Sequence, residues 1–403
     1  MALAAAHRGH GDDPLQVRTD TEVRGGGVRP LARRHRDPAC CLMVAAMFAI
    51  VVVLVGEASA DMQAAPASAG STVAYRLVEV PRDTKGFRPT VVLALGPSGN
   101  LAGSGIVRGD DRPRAFRVRR DRLEPFVPPF PSDQSRAHGI DARGTTVGWT
   151  SVADDPPTGF VWEPDGHIAR LGRDTMALAI NARGTIVGIV GGRRAARWES
   201  GSDTPRPLPM DDEGEAPRWS WAAAINDHDV VVGCIGTGVP RDAPRPVVWH
   251  GTTARRNLPL PDGASEGCAT AVHDGSEPMV VGVVTVEGRE RAVAWTPAGA
   301  VTLLPLAPGG TESSASGVDA RGRIIGTLDR AHAVLWPVRD GLPLLLAHAV
   351  VAEGGLAAAP PPLAVALAID DRGRIALQRL DADGPTAVLL VPLEEGRPGE
   401  SPR

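Results

Sequence analysis

Residues 177–188 read Ala177-Leu178-Ala179-Ile180-Asn181-Ala182-Arg183-Gly184-Thr185-Ile186-Val187-Gly188. A strand-like half ends on Asn181, an Asn-x-x-Gly turn follows, and a second strand-like half closes on Gly188. The chain says nearly the same thing again at 137–148 (AHGIDARGTTVG), 222–233 (AAAINDHDVVVG) and 315–326 (ASGVDARGRIIG). Aligned on the turn, the slots are Gly96, Asp141, Asn181, Asn226, His273, Asp319 and Asp370, at successive spacings of 45, 40, 45, 47, 46 and 51 residues. Units of that size, each unable to bury its own apolar face, define a repeat architecture.

Each unit has four parts. In the first, small residues stand four before the turn slot (Ala137, Ala177, Ala222, Ala269, Ala315, Ala366) and branched ones stand just before it (Ile140, Ile180, Ile225, Val272, Val318, Ile369). Side chains alternate along a strand, so one face is small enough for a neighbouring sheet to pack closely. The second part is an Asx-x-x-Gly turn, in which the acid or amide bonds the backbone ahead and glycine accepts positive φ. A Ca²⁺ loop would need alternating carboxylates, and Asn181 and Asn226 replace the acid in two copies, so these residues read as turn-formers. The third part is an apolar strand carrying Gly103, Gly148, Gly188, Gly233, Gly282 or Gly326, where another backbone or a large ring must come close. The fourth is a short strand ending in Trp162, Trp198, Trp249, Trp295 or Trp336, and a Leu/Pro-rich segment expected on the outer edge follows it.

Four short strands in about 45 residues is the size of a propeller blade. The sequence therefore predicts an all-β fold, a seven-bladed β-propeller of four-stranded antiparallel blades. The last unit lacks an outer strand, and residues 75–81 (YRLVEVP) resemble one. Pairing of this N-terminal strand with the last blade would close the ring and leave no open edge. A β-solenoid is the alternative.

The pattern Ala-x-Ala-Ile-Asn-x-x-Gly-x-x-Val-Gly, followed by a strand ending in Trp and a Leu-rich strand, resembles the HAF repeat family of exported bacterial proteins. Residues 177–188 and 222–233 carry the likeness best, and it extends over roughly residues 91–393. The His-Ala-Phe triplet itself departs, reading Arg114-Ala115-Phe116, Thr158-Gly159-Phe160 and His332-Ala333-Val334, and Val118 and Leu390 stand where Trp is expected. The resemblance implies export and a propeller-like repeat fold, and it brings no catalytic residues to this chain.

The flanks fit export. Residues 1–38 read as a disordered basic leader, and 39–60 as a signal peptide or membrane anchor: a 17-residue uncharged run at 39–55 follows Arg29, Arg33, Arg34 and Arg36 and precedes Ala58-Ser59-Ala60. Residues 61–74 read as a linker, 75–393 as the propeller and 394–403 as a disordered tail. The expected location is extracellular or periplasmic, or alternatively anchored in the inner membrane through 39–55 with the body outside. The formal charge is −4, with Lys85 the only lysine, so no basic field for nucleic acid is present. A monomer is expected.

Function, if it lies in what the chain does not repeat, points to the loops joining strand two to three and strand four to the next blade. These hold Trp149, Asp154, Asp155, Asp211, Asp212, Glu215, Arg218, Trp219 and Trp221, with His138 in an inner strand. Aromatics beside polar groups suit a glycan or protein ligand. No nucleophile elbow, zinc spacing or cofactor motif is present, so no cofactor or metal is expected and the leading reading is a binding or scaffold module. An exported hydrolase or lyase using the acidic loops is the alternative. Cys234 and Cys268 fall at strand ends on the same face of adjacent units, as a disulfide or as two free thiols.

Overall fold

The structure, a computed structural model, describes residues 74–393 apart from 84–85, 154, 211–218, 237–242, 253, 276–277, 338, 353–354 and 357–360. The leader, most of the linker and the tail expected from the sequence lie outside these residues. Seven four-stranded antiparallel sheets follow one another along the chain, and in the first six the strands stand in sequence order. Their inner strands are Phe87–Leu95, Gln134–Ile140, Thr175–Ile180, Trp219–Ile225, Ala264–Val272, Ser313–Val318 and Leu363–Ile369, here blades 1 to 7. The solenoid alternative is excluded by the closure of blade 7. Its outer strand is Tyr75–Glu79, paired antiparallel with Gly384–Pro392 from Tyr75↔Pro392 to Glu79↔Val388. The long last spacing is taken up between blades 6 and 7 by a 3₁₀ turn, Leu346–Ala349, and a two-stranded hairpin, Val351–Ala352 with Gly355–Leu356.

Every inner strand carries a β-bulge at the same place, directly after the small-residue start of the repeat. The registers shift between Ala137/Gly139, Ala177/Ala179, Ala222/Ala224, Ala269/Ala271, Ala315/Gly317 and their counterparts in blades 1 and 7. Leu93, His138, Leu178, Ala223, Thr270, Ser316 and Leu367 are the inserted residues. The bulge explains the glycine of the second strand: a Cβ on Gly188 would overlap the carbonyl oxygen of Met176, and one on Gly233 that of Trp221. The close approach expected at these glycines is made chiefly by backbone.

The seams between blades are built from repeated side chains. The alanines at the start of the motif are buried, and Thr270 and Ser316 hydroxyls donate to the next blade's Ala315 and Ala366 carbonyls at 2.7 and 2.6 Å. The repeated tryptophans are core residues. Indole N–H groups of Trp249, Trp295 and Trp336 donate to the carbonyls of Pro209, Pro259 and Pro305 on the preceding blade, at 2.7–2.9 Å. Those prolines follow the outer strands rather than lying within them, so their role is to aim a carbonyl as well as to end an edge.

Candidate functional site at the loop end of the ring

Each inner strand runs from the loop end of the ring to the turn end. At the turn end the Asx side chains are consumed by structure. Asp141 Oδ1 accepts from the Arg143 and Thr145 amides at 2.9 and 2.8 Å, and Asn181, Asn226, Asp319 and Asp370 repeat the pattern in their own turns. The choice of acid or amide has a local cause. The second carboxylate oxygens of Asp141, Asp319 and Asp370 take an arginine of their own turn. The Asn181 and Asn226 amides reach the next blade, donating to Asn226 O at 3.1 Å and His273 O at 3.2 Å. A buried polar atom without a partner would cost about 1–3 kcal/mol, and this ring of turns leaves its Asx oxygens paired.

Buried cations at the turn end are paired as thoroughly. Arg117, on the third strand of blade 1 (Asp110–Arg119), is 1% exposed. It donates to Glu124 at 2.8 Å and to the carbonyls of Gly144, Trp162 and Glu163 at 2.9–3.1 Å, and its guanidinium lies 3.8 Å from the Trp162 ring centre. Burial lowers the Arg117 pKa while Glu124 opposes the shift. Arg197 holds the same position on blade 3 and pairs with Glu199 and Asp229.

At the loop end the chemistry changes. Opposite each other on strands one and two, seven pairs occupy one slot: Val91/Ser104, Arg136/Trp149, Met176/Ile189, Trp221/Cys234, Cys268/Val283, Ser314/Thr327 and Val365/Gln378. Only blade 2 places a charge there. Arg136 is half-buried and makes no ion pair or side-chain hydrogen bond among the described residues, and burial alone lowers its pKa. The inserted His138 beside it accepts from Trp149 Nε1–H through Nε2 at 3.1 Å. Burial first, and then the Arg136 charge, push the His138 pKa down to about 3. The imidazole is therefore neutral at physiological pH, with Nε2 occupied as an acceptor.

The other aromatic residues expected at this end have a different environment. Trp221, read from the sequence as a candidate ligand-binding aromatic, is 7% exposed and packs with Leu178, Ile189, Cys234 and Cys268, while Trp219 lies over Gly236 at the edge of the cluster. The reason is the bond beneath them: Cys234 and Cys268 form a disulfide between blades 4 and 5, with Cα atoms 4.9 Å apart. Asp155 is exposed and pairs with Arg173 at 2.8 Å. Asp154, Asp211, Asp212, Glu215 and Arg218 lie outside the described residues. The structure thus brings together Arg136, His138 and Trp149, and separately Trp219 and Trp221 with the disulfide.

Sequence reasoning passed over Arg136 and an acidic group between blades 5 and 6. There Arg330 faces Glu312 at 3.2 Å and Glu290 at 3.7 Å, and the Thr285 hydroxyl donates to Glu266 at 2.9 Å. Burial, helped by Glu312 and Glu266 and opposed by Arg330, raises the Glu290 pKa. Among the described residues no group of three or more His, Cys, Asp and Glu is placed to hold a metal ion. A comparison of the seven equivalent slots would have exposed Arg136, the single charge in a position otherwise neutral.

No protein-family model matches the chain, and no curated protein sequence does. Solved structures share its architecture. A streptogramin B lyase superposes with a TM-score of 0.46 at 10% identity, over 80% of this chain and 100% of its own. An oligogalacturonate lyase from Vibrio parahaemolyticus gives 0.47 at 10% identity, over 80% and 94%. A prolyl endopeptidase gives 0.50 at 13% identity, over 79% of this chain and 47% of its own. At these identities the likeness is one of fold alone.

Proposed function

We propose that this protein is an exported binding or scaffold module of the cell envelope or extracellular space, presenting its ligand site on the loop end of a rigid ring. The observation that carries the reading is the division of labour between the two ends. The repeated Asx residues of the turn end are spent on closing turns and seams. The side chains that break the repeat (Arg136, His138, Trp149, Trp219 and Trp221) collect at the loop end. Export draws support from the arginine-flanked apolar run at 39–55 and from a disulfide that needs an oxidising compartment to persist. Among the described residues no helix is long and apolar enough to cross a membrane. The ligand class favoured by aromatic and polar groups side by side is a glycan or a protein segment.

Two measurements test this. N-terminal sequencing of protein recovered from the producing cell should find it outside the cytoplasm, either beginning near Asp61 or retained through 39–55. Glycan and peptide arrays probed with the same material should give binding that loop-end substitutions weaken and that Arg321→Gln, on the turn end, leaves intact. Cytoplasmic recovery with intact thiols would remove the export reading. Array binding abolished by turn-end variants alone would remove the assignment of faces.

A further inference from the structure

Arg117 and Arg136 lie on neighbouring blades and are treated in opposite ways. Arg117 is buried against one carboxylate, three carbonyls and an aromatic face. Arg136 is half-buried with none of these among the described residues. Taking a guanidinium part-way out of water without an anion or carbonyl to replace the lost hydration is costly, and the pairing of Arg117, Arg119 and Arg197 with carboxylates shows how this fold meets that cost elsewhere. The other six blades fill this slot with neutral residues, so the ring closes without the charge.

We infer that Arg136 and Trp149 form a binding site for a small carboxylate that carries a ring or sugar face beside its charged group. The inference rests on the loop-end binding reading and names its ligand chemistry. Arg136 supplies a planar fork that matches a carboxylate in two parallel hydrogen bonds. The two residues face each other across adjacent strands, Arg136↔Trp149, so an anion on the guanidinium would bring its attached ring alongside the half-buried indole. Trp149 is fixed for that purpose, because its N–H is held by His138 Nε2 at 3.1 Å. His138 also sets the charge of the ligand. A neutral imidazole leaves one positive charge at the site, which a monoanion balances and a phosphate dianion does not. Next around the ring, the equivalent slot of blade 3 holds the half-buried Met176, an apolar neighbour suited to the uncharged part of the ligand.

The test titrates the protein as produced with glucuronate and with benzoate, a sugar and an aryl carboxylate, and with glucose as the uncharged control. The readout is the indole N–H resonance of Trp149, identified by its loss in Trp149→Phe. Binding of either carboxylate, with a shift of that resonance and no response to glucose, is the expected result. Arg136→Gln should weaken the carboxylate by about tenfold or more, the loss of a charge-assisted pair. Arg136→Lys should recover part of it, which separates charge from fold. An unchanged near-ultraviolet circular dichroism spectrum would show that the variants are folded. Equal response to glucose, unchanged affinity in Arg136→Gln, or no response to either carboxylate overturns the site. Array binding that survives Arg136→Gln would overturn this site while leaving the module reading standing. Carboxylate binding in a protein that no array ligand engages would do the reverse.

Discussion

The two ends of the ring solve the same problem with different materials. At the turn end, polar groups are buried and paired by a pattern that recurs from blade to blade, and Arg117 shows how completely a charge can be absorbed there. At the loop end, order comes from single features: one disulfide, one indole–imidazole hydrogen bond, one cluster of tryptophans. A repeated network can lose a member and keep its neighbours, whereas a single device has no copy. The loop end should therefore respond more sharply to loss of its own features and should leave the turns undisturbed.

The disulfide offers the largest break. Cys234 and Cys268 are 34 residues apart in sequence, and closing a loop of that length contributes about 3–4 kcal/mol by restricting the unfolded chain. The double variant Cys234→Ser/Cys268→Ser should lose about that much in denaturant unfolding. Hydrogen exchange should rise at the loop ends of blades 4 and 5 while the Asx-bonded amides of Thr185 and Val230 stay protected. Uniform loss of protection around the ring would show that the two ends are one cooperative unit.

The bulge glycines should come next, at about 3 kcal/mol. Gly188→Ala forces a methyl into the Met176 carbonyl and requires the inner strand to shift, an overpacking cost in a core with little room to yield. Gly288, in a loop-end hairpin, has φ +78° and open space around it, so Gly288→Ala should cost only the left-handed backbone penalty of about 1–2 kcal/mol. Similar thermal shifts for the two would contradict the assignment of Gly188 to close backbone contact.

His138 gives a pH-dependent contrast. Its folded pKa of about 3 lies below the unfolded 6.5, so between these values the unfolded chain binds the extra proton and stability falls as pH falls. The loss is about 1.4 kcal/mol per pH unit, or about 2 kcal/mol at pH 5. His138→Leu, the residue found in the equivalent place of blades 3 and 7 as Leu178 and Leu367, should remove this slope and lie below the parent above pH 7 by about 1 kcal/mol, the bond lost to Trp149. Parallel profiles from pH 7.5 to 5 would show that His138 is not buried as a neutral ring.

The architecture was legible because it is written seven times. Asn181 alone permits several readings, but beside Asp141, Asn226 and Asp319 it can only be a turn, and the structure shows the bonds that make it one. Spacing also announced the closure by residues 75–79, since an outer strand missing at one end and spare at the other leaves little choice. The bulge at His138 was not legible, because an inserted residue in a strand leaves no mark on apolar alternation when its neighbours are all small. Arg136 escaped for a related reason: a charge at the start of a strand reads as solvated until the six neutral residues in its slot are aligned. Trp221 read as a candidate ligand contact because nothing in its own segment shows that the disulfide joining its blade to the next packs against it.

The smallest effect distinguishes two copies of one repeat. Trp249 donates to Pro209 O at 2.8 Å, whereas Trp198 Nε1 is buried with no acceptor. The difference lies in blade 2, whose outer strand ends Leu171-Gly172-Arg173 where blades 3, 4 and 5 have Leu208-Pro209, Leu258-Pro259 and Leu304-Pro305. Gly172 takes φ +102°, and its carbonyl already accepts the Thr175 hydroxyl at 2.6 Å. Trp249→Phe therefore removes ring volume and a hydrogen bond, leaving Pro209 O unpaired, while Trp198→Phe removes volume and an unsatisfied donor. The second should be milder by about 1 kcal/mol, the net worth of one such bond. Equal losses would mean that the indole N–H contributes nothing to the seams, and that the tryptophan slot is held by ring packing alone.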